Sequence, residues 1–286
     1  MKIASYFSLI TFSHTIFALP FAAIGFFFAL TSTASVFDWT LFVYVILCMV
    51  FARSAAMAFN RYLDADIDTK NERTAQREIP RGAISRTNAL LFTIGASILF
   101  VMCTYFINML CFYLSPVALF VILVYSYTKR ITYLCHFVLG LGLSLAPIGA
   151  YLAVTAEFAL IPILFSCIVF TWTAGFDILY ALQDEEFDVR EGLFSIPAKL
   201  GRTGALVVSI AVHGITVFLV VLLGMYAQFS LYYWIGAIIF SSLLIYQHTL
   251  VTPRDISKIN IAFGTSNGIA SVLYAVFVIM GFYVFP

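Results

Sequence analysis

Long apolar runs alternate with short polar connections along the whole chain. Crossing a bilayer as a helix takes about 20 residues, and runs of that order fall near residues 9–30, 39–59, 88–107, 109–127, 134–154, 158–180, 205–226, 231–251 and 262–284. The pattern predicts an all-α polytopic membrane protein, a bundle of about nine transmembrane helices, with 1–286 as a single domain. The third and fourth runs, and the fifth and sixth, have soft boundaries because few residues separate them. The first run is too long for the apolar core of a signal peptide. Within it, Pro20 is expected to kink or pack in mid-span and His14 to face a cavity.

Composition agrees with this pattern. The chain is 63% hydrophobic and 10% charged, with mean hydropathy +1.02, whereas soluble domains carry about 25% charged residues. A net charge of +1 identifies no partner other than the lipid bilayer, and no nucleic acid is expected. The positions of the charges are more informative. All 15 Lys and Arg fall at one set of alternate connections: Lys2, Arg53, six from Arg61 to Arg86, Lys129, Arg130, Arg190, Lys199, Arg202, Arg254 and Lys258. Positive charge stays cytoplasmic, so the N-terminus is predicted inside and the C-terminus on the opposite side. Cys48, Cys103, Cys111, Cys135 and Cys167 form no Cys-x-x-Cys pair and read as small buried hydrophobes.

Two polar rows depart from the apolar pattern. Asn60, Asp64 and Asp68 follow the second run without a break; at 100° per residue they lie within an arc of roughly 80°, rising about 6 Å per step. Carboxylates on one helical face repel one another, and a divalent cation relieves that repulsion. Asp177, Asp184 and Asp188 repeat the device, separated by seven and four residues, spacings that again stack on one helical face. Tyr180 precedes Asp184 as Asn60 precedes Asp64, with Asp184 and Asp188 standing 120 residues after Asp64 and Asp68, a weak internal repeat. Both rows are expected at the cytoplasmic side.

Other residues are read relative to these rows. Arg53 lies two turns before Asn60 on nearly the same face and is expected to meet acidic groups or a ligand anion rather than only to snorkel. Asp66 points away from the row and is expected to be solvated. Arg73 and Arg77 belong to a basic connection that suits either headgroups or a diphosphate, closed by a tight turn at Pro80, Arg81 and Gly82. Lys129 and Arg130 follow the aromatic end Tyr125 to Tyr127. Asn108 is assigned no chemistry. Small residues from Gly140 to Gly149 predict close helix packing. Glu185 and Glu186 are expected on a solvated face, and Gly192 to end the helix before Glu191 can rejoin the row. His213 and His248 are expected at the interface, and Asn267 to bond a neighbouring helix.

Taken together, these motifs resemble the UbiA superfamily of intramembrane aromatic prenyltransferases, over the whole chain. The likeness rests on Phe17 to Phe21, on Asn60, Asp64 and Asp68, on Asn71 to Thr74 with Arg77 and Pro80 to Gly82, and on Tyr180, Asp184 and Asp188 followed by Gly192 and Ser195 to Pro197. It is nearest the branch that prenylates 4-hydroxybenzoate. The resemblance implies two Mg²⁺ ions, held by Asp64 and Asp68 and by Asp184 and Asp188, bridging the diphosphate of a polyprenyl donor. It also implies an aromatic acid acceptor whose carboxylate a basic residue holds, with Arg130 as the nominee and Lys129 as its rival. Asp177 could bind metal through water or orient a ligand. The expected role is polyprenyl transfer in ubiquinone or menaquinone biosynthesis, the alternative acceptor being a different aromatic carboxylate of a menaquinone route. Outside the family, a cation transporter could also use two acidic rows, although their place beside Arg-rich connections favours an anionic ligand.

Overall fold

The computed structural model describes Tyr6, Ser8, Leu9 and residues 17–284, among which there is no strand. His14, Lys2 and Pro286 lie outside the described residues. In chain order the helices are α1 (Leu19–Ser32), α2 (Trp39–Lys70), α3 (Arg86–Ile107), α4 (Met109–Thr128), α5 (Cys135–Thr155) and α6 (Leu160–Tyr180). A 3₁₀ turn (Ala181–Asp184), α7 (Glu185–Glu191), α8 (Ile196–Tyr226), α9 (Leu231–Thr249), a π-helical turn (Ile261–Ser266) and α10 (Asn267–Val284) complete the order.

Among the described residues seven helical stretches are long and apolar enough to cross a membrane, counting Leu160–Glu191 and Ile261–Val284 as one stretch each; Leu19–Ser32 is a shorter apolar helix. With α9, each of the nine expected runs corresponds to a helix among the described residues. The protein is an integral multi-pass membrane protein. Phe120, Val207, Phe218 and Ile238 are more than half exposed, as side chains facing lipid are. Helices suit this setting because each satisfies its own backbone hydrogen bonds. Pro20 differs from expectation: it sits in the first turn of α1 rather than in mid-helix, where its missing N–H costs nothing.

The chain divides into two compact units where the sequence alone gives no boundary. The first holds Trp39–Tyr127, hence α2, α3 and nearly all of α4, together with Tyr6, Ser8 and Leu9. Ser85 caps α3 by accepting from the Asn88 N–H at 3.1 Å, a standard N-cap. The connection from α2 to α3 is pinned to its own unit: the Thr74 hydroxyl donates to the Asp68 carbonyl at 3.2 Å, and the Ser8 hydroxyl donates to Glu78. The expected turn is present, with Gly82 at φ 75°, a conformation open to glycine at little steric cost. Asp66 is exposed and meets Arg86 at 3.0 Å, a surface pair of small energetic weight. Asn108 caps α4 through its side chain, accepting from the Cys111 N–H at 2.9 Å.

The second unit holds α1 and α5 to α10. Its core is aromatic, with Phe21, Phe165, Trp172, Phe240 and Tyr274 packed together and almost wholly buried. Trp172 Nε1–H donates to Asn267 Oδ1 at 2.9 Å, the inter-helix bond expected of Asn267. Small residues admit close backbones: a Cβ on Gly25 would stand 2.0 Å from the Pro147 carbonyl oxygen, and one on Gly140 would stand 2.5 Å from that of Phe170. Gly149, at the end of the same small-residue run, has nothing within 4 Å. His213 is not interfacial. It is 3% exposed, hydrogen-bonded to His248 at 2.8 Å and to the Trp172 carbonyl at 3.2 Å, because α8 turns it inward against α6. The five cysteines carry no disulfide.

Candidate active site

The first carboxylate row lies on one unbroken helix. α2 continues to Lys70, so Asn60, Asp64 and Asp68 follow one another a turn apart, as the spacing predicts. Asn60 Nδ2 donates to Asp64 Oδ2 at 2.9 Å. Asp68 is 4% exposed, and its Oδ1 meets Arg77 Nη1 at 2.7 Å. Asp68 Oδ2 is buried with no hydrogen-bond partner. A buried carboxylate oxygen in that state carries a desolvation cost that a cation would remove.

Cations surround this row within the first unit. Arg61 reaches Asn60 Oδ1 at 3.5 Å and lies among Arg77, Asp68, Tyr125 and Glu78. Arg53, two turns up α2, stands beside Tyr125, and its Nε is shielded from solvent with no hydrogen-bond partner. The Arg73 N–H donates to Asn71 Oδ1 at 3.0 Å, which shapes the start of the basic connection.

The second row is built differently. α6 ends at Tyr180 and a 3₁₀ turn precedes α7. At three residues per turn those four residues add roughly 80° of rotation relative to an α-helix, which turns Asp184 and Asp188 away from the direction of Asp177. Asp177 Oδ2 instead lies 2.7 Å from His136 Nδ1. Asp184 and Asp188 are 7% and 0% exposed, and Lys129 Nζ lies 2.7 Å from Asp188 Oδ1. Tyr180 stacks on Phe263 with centroids 4.1 Å apart. Gly192 ends α7 at φ 68°, but only after Glu191, so the helix persists one residue further than expected. Glu185 and Glu186 pair with Arg202 at 2.8 and 3.2 Å; only Glu186 is exposed.

The segment after Gly192 is tied down on several sides. The Leu193 N–H donates to the Asp188 carbonyl and the Phe194 N–H to the Lys129 carbonyl, both at 2.8 Å. Ser195 caps α8 through the Ala198 N–H at 3.3 Å, and the Ile196 N–H donates to His136 Nε2, also at 3.3 Å. Sequence reading passed over His136. A lone histidine at the head of an apolar run gives no local signal of partners 41 and 60 positions away.

The sequence and the helical fold are similar to those of known proteins. The model of the UbiA prenyltransferase family matches residues 18–273. The chain belongs to the UbiA prenyltransferase family. It is 30% identical over 237 residues to a 4-hydroxybenzoate octaprenyltransferase of Aliivibrio fischeri (strain MJ11), covering 83% of this chain and 82% of that protein. A second relative of the same name, from A. fischeri strain ATCC 700601 / ES114, is 31% identical over 242 residues with 83% of each chain covered. Among solved structures, the apo form of a UbiA homolog from Aeropyrum pernix K1 matches with TM-score 0.80 and 29% identity over 94% of this chain and 96% of that one. A UbiA homolog from Archaeoglobus fulgidus bound to DMAPP and Mg²⁺ has the same fold, with TM-score 0.75 and 21% identity over 98% of this chain and 99% of that one.

Membership in the UbiA family raises the question of whether these residues suit magnesium. Among the described residues no three His, Cys, Asp or Glu side chains gather into a ligand set. Mg²⁺ does not need one, since it keeps several waters and is usually bound by one or two carboxylates together with substrate phosphates. The unsatisfied Asp68 Oδ2 is a hard oxygen donor of the right kind. The residues present fit the ion.

Proposed function

We propose that this UbiA-family protein transfers a polyprenyl group from a polyprenyl diphosphate to an aromatic acid of the 4-hydroxybenzoate type, as a step of quinone biosynthesis. The observation that carries the reading is Asp68, a buried carboxylate with one oxygen on Arg77 and the other unsatisfied, one turn beyond Asp64 and its partner Asn60. That arrangement suits a cation and an anion together. The acceptor class follows the name shared by the relatives at 30% and 31% identity.

In this reading Asp64 and Asp68 would hold one magnesium ion, and Asp184 and Asp188 a second. Magnesium held there would neutralise the diphosphate and so make it a competent leaving group. Arg73, Arg77 and Lys129 supply further positive charge toward the phosphate oxygens. Arg53 and Arg130 are the candidates for the acceptor carboxylate, and Asn60 and Tyr180 line their respective rows. The allylic C–O bond breaks with its electrons leaving on the diphosphate, the electron-rich arene attacks the allylic carbon, and the attacking ring carbon then gives up its proton to the departed diphosphate, which restores aromaticity. Aromatic walls exclude water from that cation and stabilise it through their faces. The active site and the N-terminus lie at the cytoplasmic side and the C-terminus opposite, which follows from the confinement of Lys and Arg to alternate connections.

The test is a reaction of the purified protein in detergent with a polyprenyl diphosphate, magnesium and a panel of aromatic acids. Prenylated 4-hydroxybenzoate, formed only with magnesium present, is expected. Product from a different aromatic carboxylate would move the protein to the alternative acceptor. Cation flux in proteoliposomes with no prenylated product would replace the reading by transport.

A further inference from the structure

His136 is 2% exposed at the head of α5, and both of its ring nitrogens are used. The Ile196 peptide N–H points at Nε2 from 3.3 Å. A peptide N–H can only donate, so Nε2 presents its lone pair and the ring proton sits on Nδ1. Nδ1–H then donates to Asp177 Oδ2 at 2.7 Å. The two partners select one neutral tautomer, with the carboxylate fixing the ring's orientation.

This ring joins the head of α5, the last turn of α6 and the first turn of α8. Residues beside those contacts hold Lys129: the Phe194 N–H donates to the Lys129 carbonyl at 2.8 Å, and Cys135 Sγ donates to the Phe194 carbonyl at 3.4 Å. Lys129 in turn meets the fully buried Asp188. The geometry points to Asp177 and His136 as a positioning pair that fixes the Phe194–Ile196 segment and, through it, the Lys129–Asp188 ion pair. Asp177 thus acts through His136 rather than as a third metal-binding carboxylate. The activity arm of this inference rests on the prenyltransferase reading; its structural arm does not.

The experiment compares the intact protein with Asp177→Asn, His136→Phe and His136→Gln. Hydrogen–deuterium exchange is followed over residues 193–198, and KM for the polyprenyl diphosphate and for the aromatic acid are measured separately. Asp177→Asn and His136→Phe are expected to speed exchange in 193–198 by about tenfold, the scale of one lost hydrogen bond to a charged group, while exchange in α10 stays unchanged. Donor KM should rise by a similar factor with acceptor KM unaltered. His136→Gln, which offers an oxygen to the Ile196 N–H, should recover part of the protection. Unchanged exchange at 193–198 in Asp177→Asn overturns the proposal, as does a uniform rise across the chain or an equal rise in both KM values. If His136→Phe does not fold, Asp177→Asn decides alone. If the protein transfers no prenyl group at all, the exchange arm still decides this inference while the functional reading fails separately.

Discussion

Lys129 Nζ stands 2.7 Å from Asp188 Oδ1, and Asp188 is wholly shielded from solvent. Removing one partner of such a pair leaves an uncompensated buried charge, at a cost of about 3–5 kcal/mol. Lys129 retains a third of its exposure, which places Lys129→Ala toward the lower end of that range. Thermal unfolding in detergent should show the loss, and Lys129→Ala combined with Asp188→Asn should recover much of it because the stranded charge is gone. A double variant no more stable than Lys129→Ala would mean that the pair is not coupled.

The two rows should be separable from folding. Asp64→Asn and Asp184→Asn each remove a charge expected to hold magnesium while changing side-chain volume very little. Turnover should fall below detection at saturating magnesium, with unfolding temperatures within a few degrees of the parent. Full activity in both variants would remove the carboxylates from the chemistry.

Arg130 follows Lys129, and with Lys129 committed to Asp188 it is the nominee of that pair for the acceptor carboxylate. A charge-assisted, bidentate contact is worth about 1.5–3 kcal/mol, or roughly ten- to a hundredfold in affinity. Arg130→Ala should raise acceptor KM by that factor with donor KM little changed, and Arg130→Lys should not restore it, because an ammonium lacks the planar fork. A rise in donor KM instead would assign Arg130 to the diphosphate.

Close backbone approach gives a prediction about stability alone. The Cβ of Gly25→Ala would fall 2.0 Å from the Pro147 carbonyl oxygen, whereas that of Gly149→Ala would meet nothing within 4 Å. Overpacking against backbone costs about 1–3 kcal/mol or more, so Gly25→Ala should unfold well below the parent and Gly149→Ala close to it. Equal unfolding temperatures would contradict the α1–α5 contact.

Topology can be read independently of chemistry. A reporter fused after Pro286 should be non-cytoplasmic and one inserted near Asn88 cytoplasmic. A cytoplasmic C-terminal reporter would mean that one of the nine helices does not span.

Contiguous hydrophobicity determined the helices, and charge at alternate connections gave the expected orientation, because both depend on residues near one another in the chain. The first row was equally legible: Asn60, Asp64 and Asp68 lie on one unbroken helix, where spacing in sequence is spacing in space. The second row was legible only in part. A 3₁₀ turn of four residues altered the rotation between Asp177 and Asp184, and no motif marks such a turn. The partners of Asp177, Asp188 and Asn267 were decided by tertiary structure, since His136, Lys129 and Trp172 lie tens of residues away and reach them only when helices pack. The inward turn of His213 has the same cause. A hydrogen bond between helices has no periodicity of its own, so it stays invisible until the fold brings its two ends together.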